Sequence, residues 1–261
     1  MRHNINRKRL VAKQPNDVWV WDITYLYKDI EGEYFYLYAV MDLYSRKMMH
    51  WEVHTKQSDT LAAQFLENAL KNNKIAVKGH LNSANITDDI IIRDSLVLHS
   101  DNGGPMKGQN MMAKAYALGL TTSYSRPRNS NDNAHIESSF ATLKHSHSVP
   151  IPACFKSVSE AQSWVNKFYS WYNNEHLHSG IGYVTPEQCY NGDWQAIFEN
   201  RNSIIEKSAI KTTKRYKLAP NVSLMSMAAK RKKVEKDTKN MEYSGKIPTV
   251  TTYDENRPKL V

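Results

Sequence analysis

The chain has 261 residues, of which 41% are hydrophobic, and it carries a formal net charge of +9. This length and apolar content suffice for one domain with a real core and an appendage. There is no apolar run of roughly 18 residues, and the basic start MRHNINRKRL lacks the apolar stretch of a signal peptide; both features favour a cytoplasmic protein without a membrane span.

The two cysteines, Cys154 and Cys189, stand far apart and outside any CxxC motif. This spacing indicates neither a zinc site nor a disulfide framework.

The positive charge is concentrated towards the ends of the chain. Residues 1–200 carry 20 basic and 20 acidic side chains, whereas residues 201–261 carry 15 basic and 6 acidic ones. A second small basic cluster lies in residues 1–14, which are predicted to form an arm. Basic flanks around a neutral body suit a polyanion such as nucleic acid, although they can also serve solubility alone.

Five segments are rich in β-branched, aromatic and apolar residues and are predicted to be strands: residues 18–26, 34–41, 47–53, 95–99 and 120–124. Residues 73–94 show no clear period and are predicted to be a surface excursion.

Apolar residues at helical spacing predict four helices. The first follows the capping residue Ser58 and ends near residue 72, the next two cover about 109–117 and 132–147, and the last begins at Ser157 with a capping box to Glu160. The order of strands and helices matches an α/β fold with a ribonuclease-H-like core, a five-stranded mixed sheet flanked by helices, although mixed sheets are common.

Two aspartates lie where the predicted strands would place them in one site. Asp22 interrupts the strand WVWDITYLY, which is apolar on both sides and therefore predicted to be central in the sheet. Asp101 follows an apolar strand and precedes the loop containing Gly103. Each alone is more often a turn or hydrogen-bonded aspartate, but ligands of open α/β sheets collect beyond such strand ends.

Glu137 lies inside the predicted helix 132–147 and can add a third carboxylate, with 35 residues between it and Asp101. Carboxylates held together repel one another unless cations neutralise them, and two Mg²⁺ or Mn²⁺ ions about 3.5–4 Å apart would do so during phosphodiester chemistry. Lys144 follows Glu137 by seven residues, almost two helical turns, on nearly the same face. Taken alone, it would be an ordinary solvated lysine.

Five motifs together resemble one known family, and they run in order from about residue 15 to residue 192: WVWDITYLY, YFYLYAVMDLYSRKMMHW, LHSDNGGPMKGQNM, SYSRPRNSNDNAHIESSFATLK and WYNNEHLHSGIGYVTPEQ. They resemble bacterial insertion-sequence transposases with a retroviral-integrase-like (DDE) catalytic core, in particular the second-frame proteins of IS-three type elements. The resemblance implies that Asp22, Asp101 and Glu137 are the catalytic, metal-binding triad and that Lys144 contacts the transposon end.

The resemblance also implies the partners and the activity. The enzyme would be a polynucleotidyl transferase that uses Mg²⁺ (or Mn²⁺), with two ions, to cut and join transposon-end and target DNA. It would act as a homo-oligomer, with a helix-turn-helix protein from the first reading frame as a further partner. The domain prediction is a basic arm over residues 1–14, an integrase-like core over 15–192 and a partly disordered basic extension over 193–261.

Three further residues are predicted to contact DNA. Arg126 and Arg128 flank Pro127 just before the Glu137 helix and are predicted to bind phosphates. His178 matches a histidine of the family motif and can either orient DNA or support the core.

Two other functions remain open from the sequence. The first is a truncated, non-catalytic DNA-binding or regulatory transposase remnant. The second is a ribonuclease H or junction nuclease of the same fold, against which the Asp101-to-Glu137 spacing and Lys144 argue.

Overall fold

The computed structural model describes residues 10–80, 89–126, 133–146 and 154–216. A five-stranded sheet lies at its centre, made of β1 (Val18–Tyr27), β2 (Tyr34–Asp42), β3 (Met48–His54), β6 (Val97–Ser100) and β7 (Thr121–Tyr124). The strands lie side by side in the order β3-β2-β1-β6-β7. β1 to β3 form an antiparallel meander, and β6 and β7 run parallel to β1, so the prediction of a mixed sheet is confirmed.

Alternation along β1 divides the core into two layers, one on each face of the sheet. Val18 and Val20 pack with α4 (Ala134–Lys144) and α5 (Val158–Asn174). Trp19 and Trp21 point to the other face, towards α1 (Asp59–Asn72) and α3 (Gln109–Ala117). β1 is therefore a central strand buried on both faces, as the apolar surroundings of Asp22 predicted.

The predicted helix starts at Ser58 and Ser157 are confirmed by their hydrogen bonds. The hydroxyl of Ser58 accepts from the N–H of Leu61 at 3.1 Å, and that of Ser157 accepts from the N–H of Glu160 at 3.1 Å. The predicted capping box at Ser157 forms only in part, because the Glu160 carboxylate accepts from the N–H of Lys156 instead. The predicted ends of the Glu137 helix, residues 132 and 147, lie outside the described residues.

The predicted surface excursion at residues 73–94 contains two short strands that sequence patterns did not indicate. β4 (Ile75–Val77) and β5 (Ile91–Arg93) pair in parallel as a separate two-stranded sheet. Three-residue strands are too short to show a two-residue period, so no pattern was available to predict them. The short helix α2 (Gly104–Lys107) likewise occupies what was predicted to be a loop.

The C-terminal part of the described chain is helical. α6 (Pro186–Asn191) begins with a capping box between Thr185 and Gln188, and α7 runs over Trp194–Tyr216. Trp194, Ile197 and Phe198 pack against a small core around Val184. Within the predicted basic extension, Trp194–Tyr216 is helical, and residues 217–261 lie outside the described residues. Within the described residues, no helix combines the length and apolar composition that a membrane crossing requires.

Candidate active site

Strand register brings Asp22 and Asp101 side by side. β1 and β6 are parallel, with Val18 opposite Val97 and Val20 opposite His99. Continued by two residues, this register sets Asp22 opposite Asp101, the first residue after β6. Neighbouring strands lie about 4.8 Å apart, so the two carboxylates occupy adjacent positions at one edge of the site.

Both aspartates lie on the face of the sheet that α4 covers. Val18 and Val20 point into the layer formed with α4 and α5, and two-residue alternation puts Asp22 on that same side. Val97 contacts this layer as well, and the same alternation carries through His99 to Asp101. The sheet thus presents two acidic groups towards the helix that carries Glu137.

Backbone N–H groups hold one oxygen of each aspartate. Asp22 Oδ1 accepts from the N–H of Ile23 at 2.7 Å, and Asp101 Oδ1 accepts from the N–H of Gly103 at 2.9 Å. A Cβ at position 103 would lie 3.0 Å from that oxygen and 2.9 Å from Met106 Sδ, so a larger residue there would displace one of these two side chains. Asn102 ties the loop to the end of β7 by donating to the Ser125 carbonyl at 2.7 Å.

α4 is fixed over β1 by apolar packing and by one polar contact. Ile136, Phe140 and Leu143 are buried in the layer beneath it, as their helical spacing predicted. Asn133, at the start of the helix, donates from Nδ2 to the Trp21 carbonyl at 3.3 Å, next to Asp22 in β1. Glu137 lies one turn further along α4 with an exposed side chain.

The acidic groups and Lys144 influence one another electrostatically. The pKa of Asp22 is raised to about 7, chiefly by burial and in addition by the negative charges of Asp101 and Glu137, although the Ile23 N–H and Lys144 lower it. Burial and Asp101 also raise the pKa of Glu137. Burial lowers the pKa of Lys144, and Asp22 partly offsets this effect. The four residues of the sequence prediction therefore form one electrostatic group, which we call the acidic site.

The acidic site has the donor chemistry that a divalent cation requires. Carboxylate oxygens are the ligands of Mg²⁺, and a bound cation would relieve the repulsion that contributes to the raised pKa of Asp22. In the part of the chain that the structure describes, no three His, Cys, Asp or Glu side chains lie close enough together to hold a metal ion as they stand. The Asp22 and Asp101 pair therefore fits a cation by register and chemistry, and Glu137 would have to move closer to complete a three-carboxylate ligand set.

The predicted DNA contacts have different surroundings. Lys144 is exposed in the last turn of α4, and Arg126 is exposed in the segment after β7, whereas Arg128 lies outside the described residues. His178 caps the 3₁₀ turn Ser179–Ile181, where its Nδ1 accepts from the N–H of Gly180 at 3.0 Å. Burial, Arg46 and His176 lower the pKa of His178 to about 4, so the ring is neutral near pH 7. Its observed bonds are structural, and a DNA contact by His178 stays a prediction.

Arg46 is a buried charged residue that the sequence reasoning did not single out. It lies in the turn between β2 and β3 with 2% of its surface exposed and a φ of 66°, and its Nη1 donates to the Leu43 carbonyl at 2.7 Å. Its charge lowers the pKa of His135 in α4 and of His178, so it lies among the turn, α4 and the loop after α5. A cation within the largely apolar segment YLYAVMDLYSRKMMHW was the available signal, since a buried arginine needs specific partners.

The fold and the acidic site define the class: a ribonuclease-H-like core with one carboxylate within the central strand β1 and another directly after the neighbouring strand β6. A chain in the cryo-EM structure of the simian T-cell lymphotropic virus intasome, in complex with PP2A regulatory subunit B56 gamma, matches 71% of this chain and 60% of its own length. The TM-score is 0.50 and the identity 14%. At this identity the likeness supports the fold alone.

Sequence comparison then identifies the family. The integrase core domain family matches residues 12–130, and a second family described as integrase core domain matches residues 118–186. The two matches together span residues 12–186, so the chain belongs to the integrase core domain family, and the relatives that it resembles are insertion-sequence transposases, as its motifs predicted.

Two insertion-sequence transposases show how far the sequence similarity extends. The transposase for insertion sequence element IS904 of Lactococcus lactis subsp. lactis (strain IL1403) is 28% identical over 188 residues, which are 71% of this chain and 66% of that protein. Transposase InsF for insertion sequence IS3A of Escherichia coli (strain K12) is 29% identical over 199 residues, which are 76% of this chain and 59% of that protein. The match thus spans less than two thirds of the length of either relative.

Proposed function

We propose that the chain is the catalytic subunit of a DDE transposase, a polynucleotidyl transferase that cleaves a DNA strand at an element end and transfers it to target DNA. The observation that carries this proposal is the electrostatic effect among Asp22, Asp101 and Glu137: Asp22 lies within β1, Asp101 directly follows the neighbouring β6, and Glu137 lies on the covering helix. Such a group is unfavourable by itself and becomes favourable when it holds cations and a phosphodiester.

The reaction has two phosphoryl-transfer steps. In the first, water attacks the phosphodiester at the element end, the bond to the 3′ oxygen breaks, and a 3′-hydroxyl and a 5′-phosphate remain. In the second, that hydroxyl attacks a target phosphodiester in line, a new phosphodiester forms, and the target's 3′ oxygen leaves with a proton. No covalent bond to the protein is required. Mg²⁺ or Mn²⁺, expected as two ions, would neutralise charge on the attacked phosphate.

The position of each residue in the fold suggests its role in the reaction. Asp22 and Asp101 would hold the cations together, and Glu137 would complete one site from α4. Lys144 would position the DNA end, because its exposed amine lies on the same helix as Glu137. Arg126 and Arg128 would bind phosphates ahead of that helix, and His178 would support or orient the DNA-facing loop.

The assembly is part of the same proposal. Two element ends must be held together during transfer, so a homo-oligomer is expected. A first-frame helix-turn-helix protein would add specific recognition of the ends, and the reaction would take place in the cytoplasm, where bacterial DNA lies.

The test is strand cleavage and transfer on oligonucleotides copied from the ends of the element that encodes the chain, with Mg²⁺. Asp101→Asn should reduce both steps to background, because it removes one charge from the cation-binding pair. Asp94→Asn is the matched control, since Asp94 is an exposed aspartate whose ion pair with Lys78 measures 3.7 Å, and it should retain wild-type activity.

Equal activity of the wild type and Asp101→Asn would refute the triad. A wild-type protein that binds DNA but cleaves nothing with Mg²⁺ or Mn²⁺ would favour the alternative, a non-catalytic DNA-binding or regulatory remnant.

A further inference from the structure

A polar cavity of about 200 Å³ lies between α4, the end of α5 and the loop after α5. Ser138 and Thr142 line it from α4, and His176 and Ser179 line it from the loop. None of its lining residues is acidic, and none is lysine or arginine. The cavity is therefore suited to a ligand that accepts hydrogen bonds from neutral donors, and it lacks the carboxylates that a cation site would need.

The cavity adjoins the face of α4 that carries Glu137 and Lys144. Ser138 follows Glu137 directly, and Thr142 lies one turn beyond Ser138. A step of about 100° per residue puts this hydroxyl pair in the row next to Glu137, Ala141 and Lys144. A DNA strand that extends from the acidic site across α4 at Ser138, the lining residue nearest to Glu137 in the chain, would reach the mouth of the cavity.

Two of the hydroxyl groups in the cavity can still donate a hydrogen bond to a ligand. Thr142 already donates to the Ser138 carbonyl at 3.0 Å. Among the described residues, the hydroxyls of Ser138 and Ser179 make no side-chain hydrogen bond, and both residues are exposed. Hydroxyl groups at such positions in DNA-binding proteins commonly donate to phosphate oxygens.

The ring of His176 is held in place at the cavity wall. It stacks on Tyr172, with 5.3 Å between centroids, and lies 5.1 Å from the Trp171 ring. Burial lowers the pKa of His176, so the imidazole is neutral near pH 7 and still offers one N–H. The aromatic contacts restrict the ring, so little conformational entropy is lost when that N–H binds a ligand.

We propose that this cavity binds one backbone phosphate of the DNA strand that flanks the reacting phosphodiester, through the hydroxyls of Ser138 and Ser179 and the ring of His176. The inference rests on the proposed function, because DNA at the acidic site is what brings a phosphate to the cavity. It adds a contact that fixes the strand by neutral donors, in contrast to the charged contact expected of Lys144.

The first experiment measures binding of an element-end duplex by fluorescence anisotropy in EDTA, so that cleavage does not interfere. The Ser138→Ala/Ser179→Ala variant should raise the Kd about tenfold, because it removes two hydrogen bonds to a charged group. The slope of log Kd against log salt should stay unchanged, whereas Lys144→Ala should reduce it by about 1, because only the lysine releases a counterion.

Ser163→Ala/Ser170→Ala is the matched control, since it removes two exposed serine hydroxyls from α5, away from the cavity lining. It should bind as the wild type does, and thermal unfolding should show that both variants are folded. A Kd for the cavity variant within about twofold of the wild type, or an equal rise in the control, would overturn the inference.

A second experiment identifies the phosphate. Uncharged methylphosphonates replace single phosphates around the cleavage position, and one replacement should weaken binding to the wild type about tenfold but leave the cavity variant unaffected. Equal effects on both proteins at every position would overturn the inference. Displacement of DNA by inorganic phosphate that exceeds a sodium chloride control of equal ionic strength in the wild type only would support the inference, because free phosphate would then compete with the DNA phosphate for the cavity.

The two proposals fail in different ways. If the wild type shows no Mg²⁺-dependent cleavage while the methylphosphonate effect depends on Ser138 and Ser179, the proposed function fails and the cavity still binds a DNA phosphate. If cleavage is intact and the effect does not depend on these serines, the cavity inference fails alone.

Discussion

Asp22 combines a charged function with an environment that opposes its charge. Burial and the neighbouring Asp101 and Glu137 raise its pKa to about 7, so in the absence of a cation the carboxyl is protonated in about half of the molecules near neutral pH. The ionised form needed for metal binding is therefore disfavoured until a cation arrives. Asp101 and Glu137 each make Asp22 harder to ionise, and a bound cation would offset this effect.

The raised pKa of Asp22 predicts an unusual dependence of stability on pH. Because the folded pKa of about 7 lies above the ordinary value of 3.8, the folded state holds the proton more tightly, and stability decreases as the pH rises from about 4 to about 7. The decrease should reach about 2–4 kcal/mol relative to Asp22→Asn, which lacks the titrating group. Urea unfolding in metal-free buffer across this range measures it.

The effect of Mg²⁺ on stability is a second test of the role of Asp22. At pH 7 it should raise the unfolding midpoint of the wild type more than that of Asp22→Asn, because it binds the folded state through the missing carboxylate. Parallel stability profiles of the two proteins, with and without Mg²⁺, would contradict the assignment of Asp22.

Glu52 shows the opposite effect on the edge strand β3. Its carboxylate accepts from His50 at 2.8 Å, His54 at 2.9 Å and Asn68 at 2.9 Å. Burial raises the pKa of Glu52, but the hydrogen bonds from His50, His54 and Asn68 outweigh burial and hold this pKa well below its ordinary 4.5. The ionised form is therefore the one that joins β3 to α1.

Glu52→Gln should cost about 1–3 kcal/mol at pH 7, because the charged hydrogen bonds are lost. Since the folded pKa is depressed, this contribution is present above about pH 4.5 and is lost as the pH falls below it. Glu67→Gln is the control: its exposed ion pair with Lys114, at 2.8 Å, is worth about 0–1 kcal/mol. Chemical denaturation measures the free energy of unfolding of both variants, and an equal decrease in the two would contradict the prediction.

At the scale of elements, the caps show how local sequence sets helix boundaries. Ser58 and Ser157 each satisfy a backbone N–H that has no partner within the helix, and both helices begin where these serines predicted. α4 is different: its start is held by a bond from Asn133 to Trp21 in β1, which only the folded chain provides.

Ser157→Ala should therefore lower the free energy of unfolding by about 1 kcal/mol, with a range of about 0.5–2. Ser163→Ala in the exposed interior of α5 should be neutral or slightly stabilising, because alanine has the higher helix propensity. Thermal unfolding of the two variants compares them directly. If Ser163→Ala destabilised as much as Ser157→Ala, the cap would not be the reason.

At the scale of the whole molecule, the loop after α5 connects the core to α7. Arg201 in α7 donates from Nη1 to the Gly182 carbonyl and from Nη2 to the Tyr183 carbonyl, both at 2.6 Å. The Phe198 ring packs against Gly182, where a Cβ would lie 2.4 Å from Cζ. This contact ties α7 to the same loop that carries His176 and His178.

Gly182→Ala should loosen α7 because it adds a clash with Phe198 to the strain of a residue with a φ of +78°. Gly192→Ala is a matched control with a φ of +89° and no atom within 4 Å of the added Cβ, so it carries the backbone strain alone, about 1–2 kcal/mol. Hydrogen exchange across residues 194–207 should be faster in Gly182→Ala than in Gly192→Ala. Equal exchange would mean that the Phe198 contact does not hold the helix.

Local signals were enough wherever a segment was long and periodic. The meander β1 to β3 and the helices after Ser58 and Ser157 follow from alternation, helical spacing and caps that lie within a few residues. β4 and β5 could not be predicted because three residues carry no period, and the length of α7 because its first turns depend on packing against Val184 and the loop near Gly182.

The sequence by itself determined the family and the chemical identity of the acidic site, because its motifs keep their order and its residue types are read directly. The tertiary structure alone decided that β1 and β6 share a register that sets Asp22 opposite Asp101, that α4 covers them, and that a buried Arg46 lies behind the helix. The physical reason is range: caps and periods act over a few residues, whereas strand pairing, burial and the pKa of Asp22 depend on groups about 80–120 residues apart in the chain.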